Sequence, residues 1–280
     1  MKSIKAMTAT LPGLPSFLFL LTFFVAPLVL IFDLSISGWT IKIYTSIVSS
    51  ALYRLVLLNT FEISAMATGI TLVLAYPYAF AMATASARIF TLLLACLLVP
   101  FWVSILLRTF AWIVLLQDSG LVNSALIKLG MVDTTLPLIR NRFSIVVGMV
   151  HVLLPYAVLC IYSVMRKFDM KLLDAAAILG ARPFFAFRTT FLPLSLPGVL
   201  QAAIICFTLS LGFYTTPTLL GGSRDITISR SIGTAIQSGT NLPLASGLAV
   251  LLMLSACVVV SGLFALKWLA AKAQPEGASR

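Results

Sequence analysis

Asp174-Ala-Ala-Ala-Ile-Leu-Gly180-Ala-Arg182-Pro183-Phe-Phe-Ala-Phe-Arg188-Thr-Thr-Phe-Leu192-Pro193 is a compact polar-edged stretch in an otherwise apolar chain. An acid opens a short alanine-rich helix, and Gly180 supplies its C-cap. Arg182-Pro183 then turns the chain into a second amphipathic stretch that closes at Pro193. A helix, a turn and another helix make a structured surface element, not a tether. Its position decides the arrangement of everything else, because apolar runs at 144–165 and 197–216 flank it, each long enough to cross a bilayer.

Working outward, four more such runs lie near 14–32, 59–83, 90–116 and 246–268. The composition agrees: 60% of the 280 residues are hydrophobic, 10% are charged and the mean hydropathy is +1.09. A soluble domain carries about 25% charged residues, and one built from this chain would expose large apolar areas to water and aggregate. Lipid is the solvent. Within lipid the backbone must satisfy its own hydrogen bonds, and no run shows the period-2 pattern of a barrel strand, so all six spans are expected to be helices. The fold class is therefore all-α, a polytopic membrane protein with six transmembrane helices.

An even number of spans puts both termini on one side. With that side inside, eleven Lys and Arg face inward (Lys2, Lys5, Arg88, Arg166, Lys167, Lys171, Arg182, Arg188, Lys267, Lys272 and Arg280) and eight face outward. The positive-inside bias thus favours cytoplasmic termini. Asp33, Asp118, Asp133 and Asp225 lie outside. The formal net charge of +11 reads as this orientation signal and not as a nucleic-acid footprint. Lys2 and Lys5 ahead of an apolar run mimic a signal peptide, but the run is too long and lacks a small-residue cleavage site, so it is expected to be a retained first span. Cys96, Cys160, Cys206 and Cys257 each sit alone in an apolar stretch, as small fillers without metal-ligand or redox spacing. The 84–89 connection is a tight inner turn, whereas 33–58, 117–143 and 217–245 are long outer loops.

Conventional catalytic equipment is missing. There is one histidine, His151, and no His-ligated metal site or conventional Ser-His-Asp or Cys-His arrangement can be assembled from the sequence. His151 itself reads as a packed or cavity-facing polar residue, with a proton relay as the alternative. No GxSxG elbow and no GxxxxGK[ST] phosphate loop occurs, so any ATP that drives the protein is hydrolysed by another polypeptide. The expectation is a non-enzyme with no catalytic residue, no metal site and no cofactor of its own. Ionisable residues within apolar runs are functional candidates, and two stand out. Glu62 follows Asn59 at the spacing of a capping box, with a cation-facing carboxylate as the alternative. Arg108 either snorkels to the interface or lines a cavity.

The stretch from Asp174 to Pro193 resembles the EAA loop of binding-protein-dependent ABC importer permeases. That pattern has an acid, two alanines, three residues, a glycine and a leucine-proline close, here Asp174-Ala175-Ala176, Gly180 and Leu192-Pro193. Asp174 stands where the family usually has Glu, and Thr190 where an aliphatic is common. Other stretches are similar to spermidine/putrescine permeases: Val99-Pro-Phe-Trp102 through Arg108 to Asn123, Val150-His-Val-Leu-Leu-Pro155-Tyr156, and Thr216-Pro217-Thr-Leu-Leu-Gly221-Gly222. Members of the wider group carry opines, aminoethylphosphonate and other small solutes.

The resemblance implies a type I importer permease fold in a bacterial inner membrane. Residues 1–53 would form an N-terminal region with the first span and an outer loop. Residues 54–268 would form the permease domain, with its ATPase-docking loop at 166–193, and 269–280 a cytoplasmic tail. The implied partners are a second permease subunit, two cytosolic ATPases carrying ATP and Mg, and a periplasmic or lipid-anchored solute-binding protein. The chain would supply the gate and half of a path, with Trp102, Arg108, Tyr156 and Tyr214 as candidate path residues. A self-sufficient secondary transporter would instead show an inverted repeat, interrupted spans or a ring of pore charges. An integral-membrane enzyme would need a catalytic pair within the spans.

Overall fold

The computed structural model describes residues 14–36, 42–168, 182–239 and 241–272. Among them every regular element is helical. In chain order these are α1 (Leu14–Ser35), α2 (Lys42–Ser49), α3 (Ala51–Thr84), α4 (Ala87–Leu98), α5 (Ile105–Leu116), α6 (Leu121–Lys128), α7 (Arg142–Met165), α8 (Pro183–Ala186), α9 (Leu192–Leu211), α10 (Thr215–Leu220), α11 (Ile228–Gln237) and α12 (Leu242–Lys272). Six segments are long and apolar enough to cross a membrane. The tight turn after the second span is Ala85-Ser86.

The third run departs from the expected single span over 90–116. It folds as α4, a 3-10 turn over Val99–Trp102, extended Val103 and then α5. Pro100 is the cause: it brings no N–H for a helical bond, and its ring crowds the preceding turn. The long loops also carry structure of their own, with α6 in the second, and α10 and α11 in the third.

The described residues divide into two compact units. One takes the chain up to Arg54 together with Ser231–Leu254, and the other takes Leu55–Arg230 and the chain from Ser255. In the first, Ser35 and Tyr44 share a 2.7 Å hydrogen bond, and Gly247 of α12 lies against Ile43 and the fully buried Ile47 of α2. From Phe17 to Leu34 the side chains of α1 are exposed or partly exposed, as suits a helix with lipid around it.

The second unit is built around α7. Ile145, Met149, Leu153, Ala157, Ile161 and Met165 recur every fourth residue and are essentially inaccessible, so one face of α7 forms the centre of the core. Toward that core α3 turns Ile63, Ala67, Thr71, Ala75 and Ala79, and α9 turns Ala202 and Cys206. Small side chains let membrane helices approach closely. One close approach is at Gly198 of α9, where a Cβ would lie 3.0 Å from the Val164 Cβ. The pair α7 and α9 is the most extensive helix contact in the unit.

Candidate functional site

Glu62 does not cap a helix. Because α3 begins at Ala51, Asn59 and Glu62 lie in its third and fourth turns, where the backbone N–H groups are already bonded, so the capping-box expectation fails. Both side chains instead face Arg142, the first residue of α7. Its guanidinium donates through Nη1 to Glu62 Oε2 (2.5 Å), through Nη2 to Asn59 Oδ1 (2.9 Å) and through Nε to Asp225 Oδ1 (3.3 Å). Asn59 Nδ2 donates onward to the Arg224 carbonyl, and Thr60 Oγ1 accepts from the Ile228 N–H, both at 2.9 Å. One cation thus ties α3, the start of α7 and the 221–228 loop together. In the sequence Arg142 is one of the eight basic residues assigned to the outer side, with nothing local to mark it further.

The real capping box is at Asn141. Its side chain accepts from the Ser144 N–H at 3.0 Å, and Ser144 Oγ lies 3.3 Å from the Asn141 N–H. Ser144 Oγ also donates to the Leu220 carbonyl at 2.9 Å, which holds α10 beside α7. Asn-x-x-Ser directly before an apolar run is a helix-start signature, and that signal was legible. Gly222 completes the seat: a side chain there would collide with the Arg140 carbonyl, and Arg140 itself has a left-handed φ of 56°.

Deeper in the unit, Trp112 Nε1 of α5 donates to His151 Nδ1 of α7 at 3.1 Å, with the rings edge-on at 5.9 Å. His151 is therefore a packed polar residue with its Nδ1 as acceptor. Arg108 stands one turn before Trp112 on the same helix. It is half-buried, and its Nε is buried without a hydrogen-bond partner among the described residues. Tyr156 packs on Phe101 at 5.1 Å between ring centroids. Trp102, beside Phe101, is 91% exposed. Tyr214 precedes α10 and is partly exposed. The candidate path residues thus fall on the interrupted third span and on α7, apart from Tyr214, which sits in the α9–α10 connection.

At the far end of α7 the chain leaves through Arg166-Lys167-Phe168. Asp174, Ala175, Ala176 and Gly180 lie outside the described residues. The expected stop at Pro193 is replaced by continuity: α8 runs into a π-helical turn over Phe187–Phe191 and then into α9, which holds Pro193 in its first turn. Pro193 brings no N–H for the helical ladder, and the irregular π turn directly before it is where the ladder departs from α geometry. Leu192 and Pro193 are exposed, as are Arg182, Phe184, Phe185 and Arg188.

A model of the family described as "binding-protein-dependent transport system inner membrane component" matches residues 75–273. The chain belongs to that family. It is a multi-pass inner-membrane permease subunit of an ABC importer and works with the other components of such a system. The spermidine/putrescine transport system permease protein PotB of Haemophilus influenzae is 31% identical over 211 residues, covering 75% of this chain and 73% of PotB. PotB of Escherichia coli K12 is 32% identical over 194 residues, covering 69% and 70%. The molybdenum permease ModB of Mycobacterium bovis is 28% identical, covering 74% and 76%. Among solved structures, a bacterial alginate ABC transporter in complex with its alginate pentasaccharide-bound periplasmic protein superposes with a TM-score of 0.78. That match has 17% identity over 94% of both chains, which speaks for the shared fold. The family match includes the whole segment from Arg166 to Pro193, whereas Asn59 and Glu62 precede it.

Proposed function

We propose that this permease imports polyamines of the spermidine/putrescine class. The observation that carries the reading is the similarity to PotB over about three quarters of the chain. In this reading a second permease supplies the other half of the path, and two ATPases dock on residues 166–193. A solute-binding protein delivers substrate to the Arg142 end. Both termini are cytoplasmic, as the distribution of Lys and Arg favours. ATP and Mg belong to the ATPase chains, and this chain makes and breaks no covalent bond.

The docking segment is tested by Gly180→Asp, which places a branched charge where the family pattern has a turn glycine. The variant is expected to remain in the membrane and to lose ATP-driven spermidine uptake; full uptake would remove the docking role.

One observation favours a second solute class. A guanidinium with an unpartnered, buried Nε beside the candidate path suits a carboxylate or phosphonate better than an ammonium. Competition against labelled spermidine decides between them. Excess putrescine abolishing uptake while an opine or aminoethylphosphonate has no effect supports the polyamine reading, and the reverse pattern overturns it.

A further inference from the structure

The π-helical turn between α8 and α9 carries two rings, Phe187 and Phe191, stacked at 5.7 Å and 23°. Phe80, near the end of α3, stands nearly perpendicular to both, 5.7 Å from Phe187 and 5.2 Å from Phe191, at 88° and 84°. Tyr76, one turn earlier on α3, meets Phe187 edge-on at 6.1 Å, and its hydroxyl lies 2.8 Å from Ser195 Oγ of α9. Phe168, just after α7, closes the group against Phe191 at 6.2 Å. Phe191 and Ser195 are buried. Pro77 lies between the two gripping residues of α3, where the helix lacks one backbone bond and bends most readily.

We infer that Phe80, Phe187 and Phe191, with Tyr76 behind them, are the coupling residues that pass movement of the 166–193 segment into α3, an inference that rests on that segment being the ATPase-docking loop. The geometry supplies the reason. Tyr76, Phe80 and Phe187 are partly buried, but the rings that pack on the buried Phe191 cannot slide past it without opening space in the core. A tilt of the turn that carries Phe187 and Phe191 therefore drags Phe80 with it, and α3 yields at Pro77. A π turn is a helix with an extra residue per loop, found often at functional positions. Here it presents both rings to the same partner. The covalent routes from the segment reach α7 at one end and α9 at the other, and the ring contact recruits α3 as a third span.

The test uses the complete importer in proteoliposomes, with radiolabelled spermidine as probe and three readouts: co-purification of the ATPase, ATP hydrolysis and uptake. Phe80→Ala and Phe187→Ala are expected to keep the ATPase bound and hydrolysing while uptake per ATP falls about tenfold, within the range usual for coupling between sites. Phe80→Leu keeps apolar volume without a ring edge and should retain hydrolysis with reduced uptake; Phe80→Tyr should restore coupling. Unchanged uptake per ATP in the alanine variants overturns the inference. So does a loss of uptake matched by loss of ATPase binding or hydrolysis, which would mark the rings as merely structural. Failure of the underlying reading looks different: wild-type importer without ATP-driven uptake, or Gly180→Asp with full uptake, removes the docking loop itself and the inference with it.

Discussion

Helix α3 is gripped at both ends of the second unit, and by opposite chemistry. Near its start the grip is ionic, with Asn59 and Glu62 held by Arg142, which also holds Asp225. Near its end it is aromatic, with Tyr76 and Phe80 set against Phe187 and Phe191. The Arg142 side chain is 34% exposed and that of Glu62 55%, so water and salt reach the first grip. Phe191 is 3% exposed, with the partly buried rings of Tyr76, Phe80 and Phe187 packed around it, so the second grip is dry at its centre. Ionic contacts that water can replace break and re-form at small cost, whereas a packed ring cluster has few alternative arrangements. The wet end can thus rearrange, and the dry end must move as a body.

The largest expected effect is at the dry end. Phe191→Ala removes a buried ring that touches Phe80, Phe168 and Phe187. The void should cost about 3 kcal/mol, near the low end for such truncations, because lipid rather than water competes for part of the lost contact. Thermal unfolding of the purified subunit in detergent would check this. The loss should be the same in low and high salt, and a salt-dependent loss would contradict an apolar grip.

Arg142→Ala comes next. It leaves the carboxylates of Glu62 and Asp225 and the Asn59 amide without their shared donor. Hydrogen bonds to charged groups are worth about 1.5–3 kcal/mol, and the partial exposure discounts them, so the net cost should be about 1–2 kcal/mol. The gap between wild type and variant should narrow on going from low to high salt as screening weakens the wild-type contacts. A constant gap would place the Arg142 contribution in packing.

The two grips also differ in how far the amino-acid sequence discloses them. Six spans follow from run length, and the family from Asp174 to Pro193, because both are local patterns. Glu62 was visible as an ionisable residue in an apolar run, but its partners lie about 80 positions away, at Arg142 for Glu62 and at Asp225 for Arg142. The nearer Asn59 offered a local explanation that the helix, by starting at Ala51, had already made unnecessary. Pro100 was visible too, but an apolar run looks continuous by composition even where one ring breaks the hydrogen-bond ladder. The aromatic residues of 184–191 lie in what the sequence shows only as a second amphipathic stretch closing at Pro193. Their pairing with Tyr76 and Phe80 depends on a π turn that no residue pattern announces.

The smallest effect separates the two roles open to Glu62. If its carboxylate served mainly to attract the polyamine, neutralising it would raise the KM for spermidine with little regard to Arg142. The geometry says otherwise, since the guanidinium is already bonded to that carboxylate and cancels its charge at short range. Glu62→Gln keeps a carbonyl oxygen that can still accept from Arg142 Nη1, so only the ionic part of one half-exposed contact is lost. Stability should fall by no more than about 0.5 kcal/mol, and the KM for uptake should stay within about twofold, since a half-kilocalorie change in binding is worth little more than that. A KM raised tenfold or more, with unfolding temperature unchanged, would show that Glu62 meets the solute and that the ionic grip is secondary. A fall in stability as large as that of Arg142→Ala would show the opposite, that Glu62 rather than Asp225 anchors the guanidinium. Asp225, with its side chain only 14% exposed, is the better-shielded partner, and for that reason the small effect is expected.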